Sequence, residues 1–213
     1  MNETVTTDVR EPRRTLLAAD HETRAMYFLM NSLVVPRPIA WVSTLAADGT
    51  RNLAPHSFFT VAATAPPSIA FTSIGDKDTV TNIRATGEFV VHVAGHDLVE
   101  QMNLSSASAP SDVSEFELAG VTAVDASIVA PPIVAEAPVA IECRLDRVVE
   151  IGNSRMVIGE CLAFHVAERL WDDQDRVDPG KLDAVARMGG STYSTTRDRF
   201  ELRRPVYEEL VGE

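Results

Sequence analysis

Cysteine, positive charge and long apolar runs are all scarce in this chain of 213 residues, and each scarcity excludes something. The only cysteines are Cys143 and Cys161, and neither a CxxC motif nor zinc-ligand spacing is present. Both fall in predicted strands joined by the turn Ile151-Gly152-Asn153-Ser154, which sets them close to opposite one another. We read them as buried thiols of a reduced compartment, a redox pair or disulfide being the alternative. Lys and Arg number 19 against 31 Asp and Glu, a net charge of −12. That balance argues against a nucleic-acid partner, which needs clustered cations. Any anionic ligand must then be held by a local arrangement working against the whole-molecule field. No apolar run approaches a membrane span, so no membrane partner is expected. The polar stretch Met1 to Arg14 lacks the apolar segment of a secretory signal, so the expected location is the cytoplasm.

Several signatures are also missing. Without GxGxxG or GxxxxGK[ST], a dinucleotide or nucleotide cannot be held by the Rossmann or P-loop fingerprints. Ser57 has no GxSxG context, so a hydrolase triad lacks local support. His92 and His96 are four apart, but their segment reads as a strand entering a Gly95 turn, and His21-Glu22 lacks the second His of HExxH. No metal site is expected.

What is present is an apolar fraction of 45%, enough for a full core. Residues 1–15 read as a flexible arm and residues 16–213 as a single domain without internal repeats. Apolar spacing predicts a helix over Asp20–Leu33 with Asp20 as N-cap. Strands follow at Ile39–Leu45 and Asn52–Ala63, joined by an Asp48-Gly49 turn, with Pro55 marking an edge or bulge. A third strand covers Ser68–Ser73. Asp78 or Thr79 caps a helix over Val80–Thr86 that Gly87 ends. A strand at Glu88–Ala94, a short helix at Asp97–Leu104 and a mobile loop at Ser105–Asp112 come next. Val139–Val149 and Arg155–Ala167 form a long hairpin, in which His165 is a packed or edge residue. Many strands with short helices between them predict a mainly β fold, a β-barrel with helical decorations.

Polar groups concentrate between Val35 and Phe89. In Gly75-Asp76-Lys77-Asp78-Thr79 a lysine and a hydroxyl meet a helix start, which suits an anion as well as it suits a capped helix with a solvated lysine. Ser43-Thr44 and Asn52 to Ser57 lie on neighbouring strands, where small polar groups serve a heterocycle edge or ordinary strand chemistry. Trp41, Phe58 and Phe59 serve either the core or the wall of a slot for an aromatic ring.

Three blocks, Pro36-Arg37-Pro38-Ile39-Ala40-Trp41-Val42-Ser43-Thr44, Asn52-Leu53-Ala54-Pro55-x-Ser57-Phe58-Phe59 and Lys77-Asp78-Thr79-x-x-Asn82-Ile83, occur in this order. Together with the tail Arg187-x-Gly189-Gly190-x-x-Tyr193, they resemble the flavin reductase-like family of FMN-binding split barrels, which includes the flavoredoxins. The resemblance covers about residues 20–195. It implies a split β-barrel homodimer binding FMN, or FAD, noncovalently near the dimer interface. It implies hydride transfer from NADH or NADPH to the flavin, with a partner oxygenase as one destination of the reduced flavin. By the same resemblance, Ser43 and Thr44 lie along the flavin, and Asn52, Ala54, Pro55 and Ser57 contact its ring and ribityl chain. Lys77 and Thr79, with Arg37, hold the phosphate, while Arg187, Gly189 and Tyr193 close the site. Two residues depart from the family pattern: His56 where an aromatic is expected, and His92 where Asn is common. They bear on what occupies the flavin face, and His56 is the one candidate proton donor. The alternatives are a flavoredoxin-type electron carrier, a flavin-binding module without turnover, and a flavin-dependent oxidase of a small metabolite.

Overall fold

The computed structural model describes residues 13–211. Most of the arm expected at residues 1–15 lies outside them. Helix α1 spans Thr23–Leu33, and strands β1 (Arg37–Pro38), β2 (Ala40–Leu45), β3 (Arg51–His56), β4 (Phe59–Thr64) and β5 (Pro67–Ile74) follow. Next come α2 (Asp78–Thr86), β6 (Glu88–Val93), α3 (Val99–Leu104) and α4 (Glu115–Ala119). The chain continues through β7 (Ala123–Val124), β8 (Ile133–Val134), β9 (Val139–Ile151) and β10 (Ser154–Val166). It ends with α5 (Pro179–Leu182), β11 (Val185–Arg187), β12 (Tyr193–Thr195) and α6 (Tyr207–Val211).

Seven strands form one antiparallel sheet in the order β3-β2-β6-β9-β10-β5-β4. Its two edge strands are consecutive in sequence, with only Ser57 and Phe58 between them. A flat sheet of this width would separate its edges by about 29 Å, six spacings of about 4.8 Å. Three Cα steps from His56 to Phe59 reach about 11 Å. The sheet must therefore curl until its edges meet, and the Phe58 carbonyl, within the join, accepts from the Thr72 amide of β5 at 2.8 Å, extending the β4–β5 ladder. The single strand expected over Asn52–Ala63 is thus two strands on opposite edges. Pro55 sits in edge strand β3, where a missing N–H costs no ladder bond.

The core lies on both faces of β2. Val42 packs with Phe71, Val80, Ile83 and Phe89, whereas Trp41 packs with Leu53, Met102, Phe116 and Val185. Cys143 and Cys161 are register partners on β9 and β10, both buried and both free thiols. The fully buried Glu142 accepts from the Ser127, Ile128 and Val129 amides at 2.6–2.9 Å, and His165 Nε2 lies 2.6 Å from it. Burial raises its pKa, but the bonds from His165 and the three amides outweigh that and bring it down to about 2. His165 is therefore the partner of a buried carboxylate rather than a merely packed or edge residue.

Two helix starts differ from expectation. Asp20 belongs to a short 3₁₀ turn, and α1 begins three residues later behind Glu22, without a side-chain cap. Helix α2 begins at Asp78 with Lys77 in the N-cap position, again with no side chain capping it. Its far end is as expected: Gly87 adopts the left-handed conformation at φ 75° and its amide returns to the Ile83 carbonyl. Strand β1 is joined by β11, which pairs Arg37 with Arg187 and so brings the tail back to the barrel.

Candidate functional site

Two cavities open beside β3 and share Pro55 and Ser106 as a common wall. The smaller, about 260 Å³, is lined by Asn52, Ala54, His56, Lys77, Asp78 and Thr79, with the loop Ser105–Ala109 and Glu115 opposite. The larger, about 400 Å³, is lined by Arg37, Ser57, Arg187 and Tyr193, with Tyr27 and Phe28 from α1.

At the small cavity, the first amides of α2 face no capping side chain, and the exposed Lys77 stands at the helix start. This arrangement favours an anion, because free N–H groups, helix dipole and ammonium all act in one direction. The Thr79 hydroxyl has a different task. It is buried and donates to Asn52 Oδ1 at 3.1 Å, as does Thr44 at 3.2 Å. Asn52 in turn donates Nδ2 to Glu115 Oε2 at 3.0 Å, and the Leu53 amide donates to the same oxygen. A carboxylate oxygen accepts, so Glu115 fixes the Asn52 amide with its nitrogen toward Glu115 and its oxygen toward Thr79. With its proton committed to Asn52, Thr79 accepts from His56 Nε2, 3.3 Å away.

His56 is buried, and its ring lies 4.8 Å from that of Phe71. Burial, and then the charge of Lys77, lower its pKa to about 3. The imidazole is therefore neutral at any physiological pH, which removes His56 as a cationic proton donor. His92 is fully buried as well: Nδ1 donates to the Trp41 carbonyl at 2.9 Å and Nε2 accepts from the Val134 amide at 3.0 Å. It fastens β6 to β8 and reaches neither cavity, so it does not bear on what faces the ligand.

Ser43 and Thr44 are also fully buried. Ser43 donates to the Pro132 carbonyl at 2.6 Å, and Thr44 accepts from Asn82 at 3.0 Å. The structure does not bring them to either cavity, because β2 is covered on both faces. Arg37 lines the large cavity and not the one containing Lys77. It anchors the end of α1 by donating to the Asn31 and Val34 carbonyls at 2.6 and 2.7 Å, and reaches the Met188 carbonyl at 3.0 Å. Gly189 lies behind the wall against Ser32, and its neighbours Met188 and Gly190 line the cavity instead. Arg187 lies over the Tyr193 ring, 4.6 Å from its centroid, and bonds its hydroxyl; Tyr193 donates onward to Asn103 at 3.1 Å. Trp41 is core, with Nε1 bonded to Ser105 at 2.9 Å.

The model of the flavin reductase like domain matches residues 30–180. This chain belongs to the flavin reductase-like family. Such membership makes it a flavin-related oxidoreductase with a mainly β, split-barrel fold. An uncharacterised protein of Deinococcus radiodurans is 41% identical over 198 residues, 87% of each chain. Nitrilotriacetate monooxygenase component B from Bacillus cereus superposes with a TM-score of 0.87 at 31% identity, covering 91% of this chain and 100% of that one. The 2-nitrobenzoate 2-nitroreductase of Pseudomonas fluorescens gives 0.83 at 30% identity, covering 91% and 98%. Glu115, which orders the hydrogen bonds beside the smaller cavity, lies within the matched region but outside every block that carries the sequence resemblance. Its only local sign is an acidic residue beside the apolar Phe116. Among the described residues no helix is long and apolar enough to cross a membrane, and no group of His, Cys, Asp and Glu could hold a metal.

Proposed function

We infer that the protein is an FMN-dependent reductase that takes hydride from NADH or NADPH and delivers reduced flavin to a second protein. One observation carries this reading: an uncapped helix start bearing Lys77 opens onto a cavity that shares a wall with a larger, aromatic-lined one. These residues fit a flavin mononucleotide. Lys77 and the first amides of α2 would hold the phosphate, with Asn52 and Ala54 beside the chain that follows it. Pro55, in the wall that the two cavities share, and Ser57 would meet one face of the ring, leaving its other face to the larger cavity, which Arg187 and Tyr193 would close on the far side. When bound, the flavin supplies the hydride chemistry. The chain supplies position, exclusion of water and the positive charge of Lys77 and the arginines. No side-chain nucleophile is needed, and the neutral His56 is left to orient groups rather than to donate a proton.

Residues 16–213 would act as one domain in a cytoplasmic homodimer. The outward apolar side chains of α1, Tyr27, Phe28, Met30 and Leu33, supply a surface for a second copy beside the larger cavity. The relative named as component B of a monooxygenase supports an oxygenase as the partner receiving reduced flavin. The test is a visible spectrum of the purified protein with FMN, before and after anaerobic NADH and NADPH. Bleaching within seconds is expected. A flavin that binds but stays oxidised would make the protein an electron carrier or an oxidase instead, and refusal of FMN would overturn the reading.

A further inference from the structure

The larger cavity departs from the rest of the molecule in its charge. The chain carries 31 acidic residues against 19 Lys and Arg. Yet among the described residues no Asp or Glu lines this cavity, while Arg37 and Arg187 both do. Neither guanidinium has a carboxylate partner among the described residues. Each carries five N–H donors. Arg37 spends three, on the Asn31, Val34 and Met188 carbonyls, and its buried Nε has no acceptor. Arg187 also spends three: Nε and Nη2 on the Gly190 carbonyl at 3.2 and 2.6 Å, and Nη1 on the Tyr193 hydroxyl. Two donors on each are left over, and every acceptor in use is neutral. Carbonyls and a hydroxyl orient the two guanidinium groups but do not cancel their charge.

The cost of this arrangement is visible at Arg37, which is only 6% exposed. Burial lowers its pKa, the neighbouring Tyr27 works the other way, and the charge of Arg187 adds to the lowering. An anion between the two would relieve both the desolvation and the repulsion. Much of the surrounding wall is aromatic and apolar, with Asn31, Ser57 and Ser106 as its neutral polar members. Tyr27 and Phe28 meet edge to face with centroids 5.6 Å apart, and Tyr193, Met102 and Met188 complete it. Guanidinium forks match planar carboxylates, whereas the smaller cavity offers the point charge and helix start that suit a phosphate.

We propose that the larger cavity is a binding subsite for a small aromatic acid, its carboxylate between Arg37 and Arg187 and its ring within the aromatic wall. The binding stands on the cavity alone; the meeting of this acid with the flavin rests on the function inferred above.

The test is isothermal titration of the purified protein, with and without added FMN, using benzoate, benzamide and acetate. Benzoate should bind at least tenfold more tightly than either benzamide, which keeps the ring and lacks the charge, or acetate, which keeps the charge and lacks the ring. Arg187→Gln should weaken benzoate at least tenfold and leave benzamide unchanged. Equal binding of benzoate and benzamide would overturn the charge assignment, and equal binding of acetate the ring assignment. Displacement of benzoate by FMN would give the cavity to the flavin and overturn the proposal. The comparison of three ligands on the unaltered protein decides the matter even if the variant does not fold. A protein that takes benzoate but refuses FMN would sink the reductase reading and leave the subsite standing.

Discussion

Asn52 and Glu115, 63 residues apart in sequence, meet at 3.0 Å beneath the smaller cavity, and through this contact one carboxylate sets the direction of every hydrogen bond from Asn52 to His56. Glu115→Gln replaces an obligate acceptor with a group that can also donate, so the Asn52 amide loses its fixed orientation. The expected result is a stability loss of about 1–3 kcal/mol in urea unfolding. Weaker FMN binding should accompany it. Unchanged values on both counts would mean that Asn52 is held by Thr44 and Thr79 alone.

Lys77→Ala should weaken FMN by about ten- to a hundredfold, the worth of one charge-assisted phosphate contact at roughly 1.5–3 kcal/mol. Because Lys77 is exposed, the thermal midpoint of the flavin-free protein should hardly move. Fluorescence titration with FMN and with riboflavin checks the assignment. The loss should appear with FMN and be absent with riboflavin, which has no phosphate.

His92 gives the fold a defined pH dependence. Burial lowers its pKa to about 4 from the 6.5 of a free histidine, although its bond to the Trp41 carbonyl works in the opposite direction. Between these values the unfolded chain binds more protons than the folded one, so stability is full above pH 6.5 and falls on acidification toward pH 4. The loss from this one group is on the order of 3 kcal/mol across that window. His92→Asn removes the titration, and the slope of unfolding free energy against pH should become shallower there. The same slope in both proteins would show that His92 is not the titrating group.

Gly159 faces the Phe89 ring so closely that a Cβ built on it would lie 2.7 Å from Phe89 Cε1. Phe89 is fully buried among the core residues Phe71, Ile83 and Val157, so the ring has nowhere to retreat. Gly159→Ala should cost about 1–3 kcal/mol by overpacking. Gly159→Ala combined with Phe89→Leu should recover part of that loss in thermal unfolding. A neutral single variant would mean that the hairpin shifts freely.

Local chemistry was legible in the sequence wherever neighbours along the chain decide it. Counting back from the turn at Gly152 places Cys143 opposite Cys161, and Gly87 marks the end of α2, because register and helix ends are set within a few residues. Helix α2 starts one or two residues earlier than a cap at Asp78 or Thr79 predicts, since Lys77 rather than a short polar residue occupies the N-cap. The family resemblance sets Ser43 and Thr44 along the flavin, but β2 is buried on both faces and their partners are Pro132 and Asn82. Little in the sequence around Glu115 marks its role, because its partners lie on another element far along the chain. The split of Asn52–Ala63 into two strands was hidden for a related reason: Ser57 and Phe58 continue the strand-like pattern, and only closure of the sheet requires them to leave it.

That two-residue join has a consequence for motion. Ser57 lies both in the seam where the sheet closes and in the wall of the larger cavity. A ligand pressed against Ser57 would therefore bear on both, acting as a clasp on the barrel. The Thr72 amide, which ties Phe58 of the join to β5, is the reporter: its hydrogen exchange should slow when the cavity is filled.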